Sequence, residues 1–445
     1  MSIESKAIKA KKLILTNVFI FLSCIFIGGL LFFILKKDKI SINEKRKLSP
    51  FPQVNVKNYL SGSLADSIDF YYSDNFIYRN ELISIADWLK GLKGVKNNEI
   101  KFFKNANDNK KIGLENNAKI EGNNTAVNDA QNSNTNLEAI DAPYENIKSV
   151  IICNKKAIQC FKGSKYAAKI FADMTKFYKK TFNNKLNIYC LTIPIGGDFY
   201  LPKKLNDKNE KEFIDILYNE LDTGVKSVKA YEELEKHTKE YIQFNTDHHW
   251  TGLGAYYAYK AFCASAGFTC QPLSALTKKV IPNFLGTLYY YTKSDELKEN
   301  IDSVEYYKVP FETKTYFYKN GIENGIPSQL YYESAKGGNA YGVYLGADFP
   351  MIRCITPNKN GKKIIIIKDS YGNAFSHYLT SHYEEVIILD YRYFKDNIIN
   401  LVNKYKVTDI LFAHNVYVAN SDFAVKQALG FLKDKTQKEP KLNKP

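Results

Sequence analysis

In Phe244-Asn-Thr-Asp-His-His-Trp-Thr-Gly252 a carboxylate, Asp247, stands directly before two imidazoles, His248 and His249. In extended chain, positions i and i+2 share a side, so Asp247 can reach the ring of His249 and fix its tautomer. A nucleophile for such a pair lies downstream. Lys363-Ile-Ile-Ile-Ile-Lys-Asp-Ser-Tyr-Gly-Asn-Ala-Phe375 is a β-branched apolar run that stops at Asp369-Ser370 and passes into a Gly/Asn/Ala segment. The pattern predicts a strand that delivers Ser370 to a sharp strand-to-helix turn. The backbone N–H groups that follow would then be free at a helix start to hold a developing oxyanion. Serine, histidine and aspartate fill the roles of acyl transfer through an acyl-serine: nucleophile, base, and orienter of the base.

The same run admits other readings. A metal site needs three or four ligands, and adjacent His248 and His249 in extended chain point to opposite sides. Asp369 or His414 could complete a set, so the spacing tolerates a metal without requiring one. A DHH-type phosphoesterase would carry further Asp-rich motifs, which the sequence lacks. A palmitoyl-transferring DHHC enzyme would carry cysteine at Trp250 and several membrane spans. A loop of structural histidines is the remaining alternative.

Other stretches accompany these motifs: Asn43-Glu-Lys-Arg-Lys-Leu-Ser-Pro-Phe-Pro52, Tyr72-Ser-Asp-Asn-Phe-Ile-Tyr-Arg79 and Tyr341-Gly-Val-Tyr-Leu-Gly-Ala-Asp-Phe-Pro350. In them the chain resembles the DHHW family, which is similar to the alginate O-acetylation proteins of the SGNH-hydrolase-like superfamily. The resemblance implies that Asp247, His249 and Ser370 form the triad, although those alginate proteins have no histidine at the position of His248. It also implies an O-acetyltransferase acting on a polysaccharide, with a membrane-bound O-acyltransferase as the source of acetyl groups and no cofactor or metal. His248, Asp369, Tyr371, Asn373 and Asn415 are placed to support the triad or an oxyanion site. Three alternatives stay open: a carbohydrate esterase using the same triad with water, a non-catalytic glycan-binding subunit, and a metal-dependent hydrolase.

Residues 13–35 form an apolar run without a formal charge, long enough to span a bilayer. It ends in Phe-Phe-Ile-Leu-Lys-Lys rather than at a small-residue cleavage site, which predicts an uncleaved anchor. Lysines flank both ends. With residues 1–12 cytoplasmic, the domain lies outside the membrane, as a role on exported glycans implies. The formal charge of +15 would suit an anionic polymer or lipid headgroups. Only Arg46, Arg79, Arg353 and Arg392 are arginines, so the excess is lysine and no nucleic-acid signature is present. Six cysteines lie beyond the apolar run without a zinc-type spacing. Cys153 and Cys160 flank a turn and could pair across a hairpin; buried thiols are the default.

The elements needed to position the site follow in order. A connector and helical lead-in occupies 36–103, with Asp74 and Arg79 as structural ion-pairing groups. Residues 104–143 are Asn-rich, too poor in apolar groups to order. A domain of 144–432 then alternates strand and helix. It has a hairpin over Val150–Phe161 and a glycine-bearing loop, Pro194–Tyr200, after a buried strand. A helix over Thr251–Ala266 carries Tyr256, Tyr259 and Phe262 as core or, alternatively, as a carbohydrate platform. Residues 278–349, rich in tyrosine, predict a small β-rich insertion that could wall a glycan groove. From Ile364 the order strand, helix from Asn373, strand, helix Phe394–Tyr405, strand, helix implies α/β architecture: an SGNH-hydrolase-like parallel sheet flanked by helices. Sites then fall at the carboxyl ends of strands, where Ser370, Asp390 and His414-Asn415 stand. A basic tail fills 433–445.

Overall fold

Ile364, Ile365, Ile366 and Ile367 are each fully buried. Alternation gives way to a continuous apolar run when helices cover both faces of a strand, and these four occupy the centre of a mixed α/β sheet. The computed structural model describes residues 149–433, except 184 and 207, the strand at 101–104, and separate pieces between 15 and 76. They fall in two compact units, Met1–Lys96 and Asn97–Pro445.

In the first unit, residues 15–23 are helical and α1 spans Ser63–Asp74. Asp74 Oδ2 accepts the backbone N–H and the hydroxyl of Ser49 at 2.9 and 2.8 Å. Arg79 lies outside the described residues. Among the described residues no helix is long and apolar enough to cross a membrane. The run at 13–35 is only partly among them. The later part of the helical lead-in, the Asn-rich stretch after Lys104 and the tail after Lys433 lie outside them.

The longer elements of the second unit are β1 (Lys101–Lys104), β2 (Ser149–Cys153), β3 (Lys156–Gln159), α2 (Lys165–Thr181), β4 (Asn187–Ile193), α3 (Asn209–Asn219), β5 (Val225–Ser227), α4 (Ala230–Glu235), α5 (Gly252–Ala266), β6 (Thr277–Phe284), β7 (Asp302–Lys308), β8 (Lys314–Tyr318), β9 (Ile326–Ser328), β10 (Met351–Ile355), β11 (Lys363–Lys368), α6 (Tyr371–Ser376), β12 (Glu385–Asp390), α7 (Ile398–Tyr405), β13 (Asp409–Asn415) and α8 (Asp422–Gly430). The main sheet runs β9-β8-β10-β12-β11-β13-β4-β5. Its half from β12 to β5 is parallel, as the alternation of strands and helices predicts. Phe171 and Tyr178 of α2 meet Phe412 on one face, and Phe262 of α5 meets Tyr189 on the other. Leu411 pairs with Tyr189 across the ladder, so Tyr189 and Phe412 point to opposite faces and the sheet is covered on both. Tyr256, Tyr259 and Phe262 are all buried, so they are core and not a platform.

Two expectations need correction. The sheet is not wholly parallel: β10, β8 and β9 add to its edge antiparallel. Two of these strands come from 278–349, so the expected insertion is partly the continuation of the main sheet, completed by the β6–β7 ribbon. Among the cysteines, the default of buried thiols holds only in part, and the alternative of a Cys153–Cys160 disulfide does not hold. The hairpin register pairs Cys153 with Lys156, whereas the Cys160 N–H reaches Ser149 O at 3.0 Å, which puts the two thiols at opposite ends of the ladder. Both are free and half-buried, as is Cys270.

The loop after β4 is held from beneath by Glu210 at the start of α3. Its carboxylate accepts the N–H groups of Ile195 at 2.6 Å and Asp198 at 3.1 Å. Gly196 turns the chain there with φ of +92°, and a Cβ on Gly197 would meet Glu210 Oε1 at 2.6 Å. Burial, reinforced by the neighbouring Asp198, pushes the Glu210 carboxyl up to about 8. A carboxyl raised in the fold contributes stability that is complete below its ordinary value and is lost as pH rises through about 8. Thermal unfolding followed from about pH 5 to about pH 9 is expected to show falling stability for the wild type and a flatter profile for Glu210→Gln.

Candidate active site

Ser370 sits where β11 ends. Its φ and ψ of −61° and −24° are already helical, and α6 begins at the next residue. The loop before α5 brings the other two groups. His249 Nε2 lies 2.8 Å from Ser370 Oγ, and His249 Nδ1 lies 2.6 Å from Asp247 Oδ1. The same Oδ1 accepts the His249 backbone N–H at 3.0 Å, while Oδ2 accepts the Thr287 N–H at 2.7 Å. With Nδ1–H given to the carboxylate, Nε2 is the acceptor for the serine hydroxyl, the tautomer that a general base requires. All three residues are buried. His248 does not point to the opposite side, as extended chain would place it, because the loop is not extended there: its ring lies against that of His249 at 3.8 Å, and its Nδ1 is 3.7 Å from Asp247 Oδ1.

The loop is fixed by groups that sequence reasoning passed over. Lys156 of β3 donates to Gln243 O, Phe244 O and Asn245 Oδ1 at 2.8, 2.9 and 3.2 Å. Asp302 of β7 accepts the N–H groups of Asn245 and Thr246 and the Thr246 hydroxyl at 2.8, 2.7 and 2.6 Å. Two bonds then tie the loop to α6: Trp250 Nε1–H donates to Tyr371 O at 3.0 Å, and the Tyr371 hydroxyl donates to His248 O.

The remaining expected site residues have definite places. Asp369 accepts the Tyr371 N–H at 2.8 Å and the Asn415 N–H at 2.7 Å, with His414 Nδ1 at 3.7 Å. Asn415 caps the short helix Val416–Ala419 by accepting the Val418 N–H at 3.1 Å. The helix start after Ser370 does not offer free N–H groups as expected. Tyr371 N–H goes to Asp369 Oδ1, Gly372 N–H to Asp369 O, and Asn373 N–H to Ser370 O. The Asp369 carboxylate takes the first of these donors as it closes the turn that delivers the serine, and the backbone oxygens of Asp369 and Ser370 take the next two.

Against α6 lies a cluster of four charges, Lys368, Asp390 and Arg392 buried and Asp348 partly buried. Lys368 Nζ contacts Asp390 at 2.7 Å and Asp348 at 3.1 Å, and Arg392 contacts the same two carboxylates, each at 2.8 Å. Arg392 and Lys368 hold the Asp348 carboxyl far below the usual range despite its burial. Asp348 in turn accepts from Asn373 Nδ2 at 2.9 Å. Only Asp390 was singled out from the sequence; Asp348 gave no signal beyond its place in the Tyr341–Pro350 stretch.

A carboxylate and two imidazoles are metal-type donors, and ligand atoms of Asp247, His248 and His249 lie within 4.8 Å of one another. Both ring nitrogens of His249 and both oxygens of Asp247 are already hydrogen-bonded, however, and Asp369 is committed to two N–H groups. The residues present fit a proton relay better than a metal centre.

Fold and geometry thus define a mixed α/β protein with an Asp-His-Ser relay at the carboxyl edge of its parallel strands. The chain belongs to the DHHW family, whose model, described as DHHW protein, matches residues 44–110 and 102–389. Among solved structures it is similar to a DHHW family protein from Eubacterium siraeum, with 29% identity and a TM-score of 0.59, covering 67% of this chain and 99% of that one. It is also similar to Bacillus cereus PatB1, solved with a sulfonyl adduct, with 17% identity and a TM-score of 0.52, covering 63% and 97%. The O-acetyltransferase domain of Pseudomonas putida AlgJ matches at 12% identity and a TM-score of 0.35, covering 60% and 91%. No curated protein matches the chain.

The packing of Asp247 gives a direct test. A Cβ on Gly286 would lie 2.1 Å from Asp247 Cβ and 2.5 Å from its Oδ2. Gly286→Ala must displace either the aspartate or the turn that supplies the Thr287 N–H. A loss of about 2 kcal/mol or more in chemical denaturation is expected, larger than a surface substitution brings.

Proposed function

We propose that the chain is a membrane-anchored, extracytoplasmic O-acyltransferase that places acetyl groups on hydroxyls of a cell-surface or exported polysaccharide through an acyl-Ser370 intermediate. The observation that carries this reading is the unbroken line Asp247–His249–Ser370 at 2.6 and 2.8 Å. Ser370 Oγ attacks the acetyl carbonyl while its proton passes to His249 Nε2. Asp247 stabilises the imidazolium, which returns the proton to the departing group. A sugar hydroxyl then gives its proton to His249 and takes the acetyl from Ser370, which regains its hydroxyl.

Membership of the DHHW family, with its similarity to alginate O-acetylation proteins, supports an acetylated glycan as product. The sulfonyl adduct carried by PatB1, a protein of similar fold, agrees with a reactive nucleophile on such a scaffold. The apolar run at 13–35 is assigned as the anchor, with the catalytic unit outside. Since acetyl donors are cytoplasmic, a membrane-bound O-acyltransferase is the partner that would deliver acetyl across the bilayer.

The test uses the purified full-length chain with a chromogenic acetyl ester and, separately, phenylmethylsulfonyl fluoride, read by intact-mass spectrometry. An acetyl or sulfonyl adduct on Ser370 is expected, absent in Ser370→Ala and strongly reduced in His249→Ala. Ester turnover is expected to fall about 10³–10⁴-fold in Asp247→Asn, which leaves the imidazole in the wrong tautomer. Turnover that survives both Ser370→Ala and His249→Ala but is lost to a chelator would overturn the relay in favour of a metal at His248 and His249. Adding glycan acceptors then separates transfer from hydrolysis: acetylated glycan supports the transferase, and free acetate alone supports an esterase.

A further inference from the structure

The stretch Tyr341–Pro350 has no part in the relay as described, yet it touches the relay from two directions. The Tyr341 ring lies over the His249 imidazole with centroids 4.0 Å apart and planes within 10°. Its hydroxyl donates to the backbone oxygen of Ser370 at 3.0 Å. One side chain therefore contacts the base through its face and the nucleophile's own peptide through its tip. Seven residues on, Asp348 holds Asn373 of α6 and the buried Lys368 and Arg392. Between them Leu345 is buried in the left-handed region with φ of +62°, a conformation a branched residue adopts only where its surroundings impose it.

We propose that Tyr341 is the positioning residue of the triad, with its ring setting the plane of His249 and its hydroxyl setting the depth of Ser370. The proposal rests on the Ser370 reading above, and deepens it. The physical requirement is plain. Asp247 fixes the imidazole only at Nδ1, and the His248 ring meets it tilted by 37° rather than face to face, so the ring can still rock about that bond and carry Nε2 off the serine oxygen. A parallel aromatic face at 4.0 Å blocks that motion. The same face is attractive to the imidazolium formed when His249 takes the proton, because a ring's electron-rich face attracts a cation. Burial keeps the Tyr341 hydroxyl protonated, a neutral donor to Ser370 O. Tyr344 supports the arrangement, its ring 5.3 Å from that of Tyr341 and its own hydroxyl donating to Glu305 O at 2.9 Å.

The test compares the full-length wild type with Tyr341→Phe, which keeps the ring and removes the hydroxyl, and with Tyr341→Leu, which removes both. Two signals are read on each. One is the rate of phenylmethylsulfonyl fluoride addition to Ser370, resolved into a limiting rate and a half-saturating concentration. The other is the low-field proton resonance of His249 Nδ1–H. The limiting rate is expected to fall about tenfold in Tyr341→Phe. It should fall about a hundredfold in Tyr341→Leu, the size of loss a misplaced catalytic group brings. The half-saturating concentration is expected to hold in both. The low-field proton should persist in Tyr341→Phe and broaden away in Tyr341→Leu. If Tyr341→Leu fails to fold, Tyr341→Phe alone decides: a wild-type limiting rate with an unchanged proton signal removes the hydroxyl's role and overturns the proposal. Wild-type rates in a folded Tyr341→Leu also overturn it. If the wild type itself forms no adduct on Ser370, the transferase reading fails, while the His249 proton still judges Tyr341 independently.

Discussion

The hydrogen bond between His249 Nε2 and Ser370 Oγ joins points 121 residues apart, and most of the second unit can be understood as what keeps those two atoms 2.8 Å from each other. A hydroxyl and an imidazole meeting in a buried place gain little unless both are held before they meet, because ordering side chains costs as much as one hydrogen bond returns. The two sides are held by different means. Ser370 is delivered by a strand whose neighbours are hydrogen-bonded on both edges, so its Cα position is inherited from the most constrained part of the sheet. His249 comes from a loop, and loops have no such inheritance. Its rigidity is assembled from Lys156 and Asp302, which absorb the loop's backbone carbonyls and N–H groups, and from the cross-ties of Trp250 and Tyr371.

The four charges behind α6 apply the same logic with higher stakes. Burying Lys368, Asp390 and Arg392, with Asp348 partly buried beside them, costs desolvation that mutual attraction only offsets when each charge has more than one partner. Here each cation meets both carboxylates, so the set is internally neutral and multiply bonded. Such a cluster is weak ground for claiming extra stability, since well-packed apolar residues would serve as well. Its value is geometric: removing any one member strands a buried charge, at about 3–5 kcal/mol, so the carboxyl ends of β11 and β12 can hardly shift relative to Asp348. Asn373, one turn into the helix that Ser370 begins, is thereby referenced to the sheet.

How much of this was legible in the sequence depends on whether the information is local. The Ile364–Ile367 run and the later alternation of strand and helix are periodic signals, and the parallel half of the sheet follows them closely. Asp247, His249 and Ser370 were legible as residue types at a revealing spacing, two of them i and i+2 in extended chain. The antiparallel edge was not, because β8, β9 and β10 span only three to five residues each, and nothing in their composition says which sheet such short strands will join. Tyr341 stood out only as the first residue of the Tyr341–Pro350 stretch, one tyrosine among 33, with no mark that it touches both base and nucleophile. The free N–H groups expected after Ser370 failed for a different reason. Asp369 was read as a support for the triad or an oxyanion site, yet a short carboxylate just ahead of a turn takes the first donor the turn exposes, and the turn's own carbonyls take the next two. The general consequence is that sequence finds the groups that react, which must be particular residue types, more readily than the groups that hold them. A holder can be any side chain with a polar tip or a flat face, and only the fold decides which one stands in the right place.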